Sequence, residues 1–163
     1  MASTFEPIAT TTLGSAASSI TFSTIPGTYT DLRLVIVPKG DGPNTYLRFN
    51  SDTGSNYSGT YLIGNGTSAS SYRETSVTEI LLDVRGLDLT SLSLLTVDIF
   101  SYAGSTNKTV LGTFSEDKNG SGQVGRLVGL WRSTSTITSL SFRAPGGTFS
   151  SGTTATLYGI LKA

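Results

Sequence analysis

Leu95-Thr96-Val97-Asp98-Ile99-Phe100 places Leu95, Val97 and Ile99 at one parity and Thr96, Asp98 and Phe100 at the other. A period of two is the mark of a β-strand with one face in a core and the other toward water. The same alternation recurs in Ser19-Ile20-Thr21-Phe22-Ser23 and in Ser139-Leu140-Ser141-Phe142-Arg143. Thr suits the wetted face, because its branched Cβ fits the pleat while its hydroxyl keeps contact with water. Leu32 to Val37 is apolar at both parities except for Arg33, which predicts a central strand covered on both sides. No segment carries an i, i+3, i+4, i+7 stripe; the best helical candidate is one turn around Leu87 to Leu92.

Turn residues separate these runs at Pro26-Gly27, Gly40 to Pro43, Asp52 to Gly54, Gly64 to Gly66, Gly104, Asn119 to Gly122, Pro145 to Gly147 and Ser151-Gly152. Between them the strands expected are 5–12, 18–25, 30–38, 44–50, 57–63, 72–84, 93–102, 107–115, 123–131, 136–143 and 153–161, some of which should merge or fail. With some eight to ten strands surviving, this is an all-β, single-domain antiparallel β-sandwich over residues 1–163, jelly-roll-like. Residues 1–13 read either as an N-terminal arm or as the first strand.

The 163 residues include no His and no Cys, while about three in ten are Ser or Thr. That composition excludes a disulfide framework, thiol catalysis and Cys-bearing zinc sites. Eleven basic and eleven acidic residues cancel, and the basic ones are scattered, which speaks against nucleic acid as a partner. Neither a signal-peptide pattern nor a membrane-spanning run is present, so a product of the cytoplasm with no membrane partner is expected.

Five features carry possible chemistry. Gly120-Ser121-Gly122-Gln123-Val124-Gly125 matches G-x-G-x-x-G, but a strand pattern rather than a helix follows it, which reads as a hairpin loop. Asn50, Asp52 and Asn56 alternate around Gly54 like a thin calcium loop; with one carboxylate, an Asx-type turn is the better reading and no metal is expected. Asp41, Asp52 and Asp117 fall in turns and Glu79 and Asp98 at outward strand parity, so no carboxylate pair is marked for a cleft. Ser-based catalysis would need an unusual base such as Lys, and the expectation is a non-enzyme without catalytic residues or cofactor. Tyr46, Tyr57, Tyr61, Tyr72 and Trp131 are candidate sugar platforms, although Trp131, between Leu127-Val128-Gly129-Leu130 and Arg132, reads better as a core or subunit-interface anchor.

The stretch Phe5-Glu6-Pro7-Ile8-Ala9-Thr10-Thr11-Thr12-Leu13-Gly14, then Ile20 to Pro26 and Tyr29 to Leu32, resembles a widespread group of small tailed-bacteriophage virion proteins. So do Leu47-Arg48-Phe49-Asn50 with Asp52, Gly54, Asn56 and Tyr57, then Lys108-Thr109-Val110, Gly129-Leu130-Trp131-Arg132, and Gly147 to Phe149 with Thr156 to Ile160. The resemblance implies a β-sandwich structural protein of the virion, made in the host cytoplasm. A capsid decoration (cement) protein is the first expectation: a homotrimer that binds the major capsid protein on the outer capsid surface and stabilises the head. A tail-fibre or tip protein that binds a host-surface glycan is the alternative. Candidate capsid or subunit contacts are Phe5, Ile8, Trp131 and Arg132, with Phe5 and Ile8 able to add a strand to another sheet.

Overall fold

The computed structural model describes residues 4–41, 44–83, 91 and 93–161. Fourteen strands and no helix are present among them: β1 Phe5–Thr12, β2 Ser19–Phe22, β3 Asp31–Val37, β4 Gly40–Asp41, β5 Thr45–Phe49, β6 Tyr57–Gly64, β7 Ala69–Val77, β8 Ile80–Asp83, β9 Leu94–Phe100, β10 Lys108–Asp117, β11 Gly122–Trp131, β12 Leu140–Arg143, β13 Thr148–Phe149 and β14 Thr154–Ile160. All pairings are antiparallel. An eight-stranded sheet runs β1-β14-β3-β9-β10-β11-β6-β7, a four-stranded sheet β2-β12-β5-β8, and β13 pairs with β4. The all-β sandwich is as the alternation indicated, with its main sheets divided eight against four where a jelly-roll shares eight strands between two sheets.

One parity of each sheet supplies the core. Leu32, Leu34 and Ile36, Leu95, Val97 and Ile99, and Val110, Phe114 and Leu127 point inward from the large sheet. Ile20, Phe22, Leu47, Phe49, Leu140 and Phe142 face them from the small one, in a single apolar cluster. Each such side chain stabilises the fold by about 1.5–3 kcal/mol relative to exposure.

Two expectations are corrected and one pair of alternatives is decided. Leu32 to Val37 is covered on one side only: Arg33, Val35 and Val37 are half-buried, because among the described residues no layer lies over the outer face of the large sheet. Segment 72–84 is two strands; the chain bends at 78–79, after Ser76 adopts φ 55°, and passes from the large sheet to the small. Residues 1–13 contain no free arm within the described part, since Phe5–Thr12 pairs with β14 along its length, interrupted by a bulge at Ile8. The helical turn expected around Leu87 to Leu92 lies, apart from Ser91, outside the described residues.

Close packing leaves no room for side chains at some glycines. At Gly125 an added Cβ would stand 2.0 Å from the Phe114 ring, which fills the space between the sheets. Gly125→Val should therefore destabilise the fold by about 1–3 kcal/mol through overpacking. Urea unfolding followed by emission of the single tryptophan, Trp131, measures this.

Candidate interaction face

Between β5 and β6 the chain crosses from the small sheet to the large, and the turn there is wired by side chains. The Asp52 Oδ1 accepts the Gly54 N–H at 2.8 Å, closing an Asx turn. Its Oδ2 accepts from Asn56 Nδ2 at 3.0 Å and from the Trp131 indole Nε1 at 2.8 Å. Asn50 Oδ1 accepts the N–H groups of Thr138 and Ser139, while its Nδ2 donates to the Thr136 carbonyl. Donors thus surround the Asp52 carboxylate, the opposite of what a cation would find. The Trp131 bond above all, then Asn56, hold the Asp52 carboxyl below the usual carboxylate range.

Trp131 is 2 % exposed and stacks on Tyr57, with ring centroids 6.2 Å apart. Its ring has no free surface for a partner. Tyr57 and Tyr61 are also buried, and burial pushes the Tyr57 hydroxyl up to about 12. Tyr61 is raised as well, first by burial and then by Glu74, whose Oε2 accepts its hydroxyl at 3.0 Å. Of the candidate platforms, Tyr72 has an exposed ring, stacked on Tyr61 at 4.5 Å, and Tyr46 is half-buried. Arg132 is exposed and donates to the Ser55 carbonyl. Phe5 lies on the edge strand β1, exposed, with Tyr158 at 4.7 Å and the Arg33 guanidinium over its ring; Ile8 is half-buried against the core. The four candidate contacts therefore do not form one patch: Phe5 and Ile8 share β1, at the opposite edge from β7, and Trp131 and Arg132 close the end of β11.

The glycine motif is the β10–β11 hairpin, with Gly120 at φ 119°. Glu79 does not face outward: its Oε1 accepts from both Arg48 and Arg143 at 2.6 Å, and its side chain is 11 % exposed. The Ser-x-x-Lys spacing that a Ser–Lys pair would use occurs twice, at Ser105/Lys108 and Ser115/Lys118. Lys108 Nζ donates to the Gly104 and Thr106 carbonyls, locking the β9–β10 turn, and Lys118 stands 3.5 Å from Glu116.

What the sequence reading missed is the outer face of the eight-stranded sheet. One row across it is Tyr158, Arg33, Asp98, Leu111, Val128, Thr60 and Arg73; the next is Thr10, Thr156, Val35, Thr96, Thr113, Arg126, Leu62 and Ser71. Arg33 and Asp98 form a two-pronged ion pair at 2.6 and 2.8 Å, and threonine hydroxyls bond across strands. Beside these lie Val124, Val128 and Leu62, each more than half exposed, with Leu94 and Phe100 on β9. Single exposed apolar residues are ordinary; here five of them stand on three strands, β9, β11 and β6, of one face. The outward parity of Val124 and Val128 within β11 was the available signal.

Comparison with known protein families, curated proteins and solved structures returns no match.

Asp52→Ala should cost about 1–3 kcal/mol, since it leaves the buried Trp131 N–H without an acceptor. A red-shifted tryptophan emission and a lowered unfolding midpoint are the readouts. Acid should mimic the substitution. With its folded pKa below the unfolded value of about 3.9, Asp52 contributes fully above about pH 4 and loses its contribution as pH falls through the folded value. Asp41, lowered chiefly by the Thr148 backbone N–H, acts in the same direction. Thermal unfolding from pH 7 down to pH 2 should show midpoints falling below about pH 4, with a shallower fall in Asp52→Ala.

Proposed function

We propose that this chain is a non-enzymatic structural subunit of a tailed-bacteriophage virion, acting as a capsid decoration protein. The observation that carries the reading is the uncovered apolar face of the large sheet, centred on Leu62, Val124 and Val128. The phage-like stretches at both ends and in the middle of the chain supply the setting. A rigid two-layer body with one flat, part-apolar, part-hydroxyl face is suited to lying against other proteins. Stable contacts of this kind bury about 800 Å² on each partner, which an eight-stranded face accommodates.

In this reading copies associate, as a homotrimer, and bind the outer surface of the major-capsid lattice. Anything that binds the assembled lattice and not its free subunits stabilises the shell by mass action, and three linked copies multiply weak contacts. No chemical step is required of such a protein.

Imaging of the intact particle, with copy counting, tests the proposal. Copies in proportion to the capsid lattice are expected; a few copies per particle would favour the tail-fibre or tip reading, and none would overturn both. On the same reading, Leu62→Glu with Val128→Glu should leave the unfolding midpoint of the isolated chain nearly unchanged, as both side chains are already exposed. The pair should abolish self-association or co-sedimentation with particles, because the new carboxylates would be desolvated in the contact.

A further inference from the structure

We propose that Asn119, at the tip of the β10–β11 hairpin, is a self-modifying site that converts to aspartate and isoaspartate in the folded chain without an enzyme. Asn followed by Gly occurs twice, at Asn65-Gly66 and Asn119-Gly120. The glycine matters because its backbone nitrogen is the attacking atom, and no side chain stands beside it to hinder the approach. A Cβ added at either glycine would meet nothing within 4 Å, so neither loop is packed against a neighbour there.

The two asparagines differ in how firmly they are held. Asn65 is half-buried, and its Oδ1 accepts the N–H groups of Thr67 and Ser68 at 3.0 and 2.8 Å, with the Ser68 hydroxyl at 3.4 Å. That side chain must give up these bonds to present its Cγ to the Gly66 nitrogen. Asn119 is exposed, as are Lys118, Gly120 and Ser121 around it, and among the described residues its carboxamide enters no hydrogen bond. Only its main chain is fixed: the Asn119 N–H donates to Asp117 Oδ1 at 2.8 Å, and the Lys118 N–H to the Ser121 carbonyl at 2.8 Å. The carboxamide is left to rotate over a turn with φ 53° at Asn119 and 119° at Gly120.

The Gly120 nitrogen, losing its proton, bonds to Asn119 Cγ; the Cγ–Nδ2 bond breaks, and Nδ2 leaves as ammonia with that proton. Water then opens the cyclic imide. Opening at Cγ gives aspartate in the ordinary chain, and opening at the main-chain carbonyl gives isoaspartate, whose chain runs through Cβ and Cγ. Nothing is oxidised or reduced. Either product sets a new carboxylate beside Glu116 and Asp117, in a chain whose formal net charge is zero. Isoaspartate also inserts a methylene into the turn, which works against the Asp117–Gly122 pairing that closes β10 on β11.

Ageing of the purified chain in warm, mildly alkaline buffer tests the site, read by ion-exchange chromatography and by peptide mapping that separates aspartate from isoaspartate. A parallel sample unfolded in urea, where both Asn-Gly sites react, sets the duration. The expected result is a more acidic species that grows with time and maps to Asn119, which converts about tenfold or more faster than Asn65. Asn119→Gln should remove that species and leave the unfolding midpoint nearly unchanged, because a glutamine must close a larger and slower-forming ring. The proposal is overturned if Asn119 stays intact in the folded chain while the unfolded sample converts, or if Asn65 converts as fast as Asn119. Persistence of the acidic species at the same rate in Asn119→Gln would equally overturn it.

Discussion

The indole N–H of Trp131, 2.8 Å from Asp52, fastens the two sheets at the one place where a turn carries the chain directly from β5 to β6. Trp131 ends the central strand β11, and Asp52 follows the small-sheet strand β5. Phe49 and Tyr57 pack against the indole from either side of the turn, and the Tyr57 hydroxyl returns to the Phe49 backbone. A β-sandwich otherwise relies on non-directional apolar contact between layers, which fixes separation better than lateral position. This bond supplies the lateral position. It also sets a charged acceptor against the apolar core.

The sandwich was legible because a strand with one wetted face writes its period into the sequence. Ile20/Phe22, Leu95/Val97/Ile99 and Leu140/Phe142 all point inward as their parity said. The failures have local physical causes. Ile80–Asp83 is buried at every position, so β8 shows no alternation to set it apart from β7, and the break before it is made by a non-glycine residue at positive φ. Leu32 to Val37 looked doubly covered because hydrophobicity alone does not distinguish a face buried in the monomer from one that is left open. Glu79 escaped for a different reason: its two arginine partners are 31 and 64 residues away, and no local spacing announces them.

The same ambiguity bears on the outer face. Parity within β11 assigns Val124 and Val128 to the outer face, yet only the strand order reveals that β6 and β10 bring Leu62 and Leu111 beside them, with Leu94 and Phe100 one strand further on. Trp131, the residue that most resembles an anchor in the sequence, serves the interior. Function in such a chain is a property of assembled rows, and a row takes one residue from each of several strands distant in sequence.

The pairing of β1 with β14, and of β14 with β3, carries a further consequence for how the chain comes into being. Strand β3 sits inside the finished sheet, but its neighbour on one side is residues 154–160. Until those residues are made, β3 presents a bare apolar edge, and β1 has no partner at all. Contacts spanning more than a hundred residues slow folding, since loop closure precedes any gain from pairing. The nascent protein therefore holds this border of β3 open until residues 154–160 are made, while Arg33, paired with Asp98 across the opposite border to β9, keeps charge on the strand.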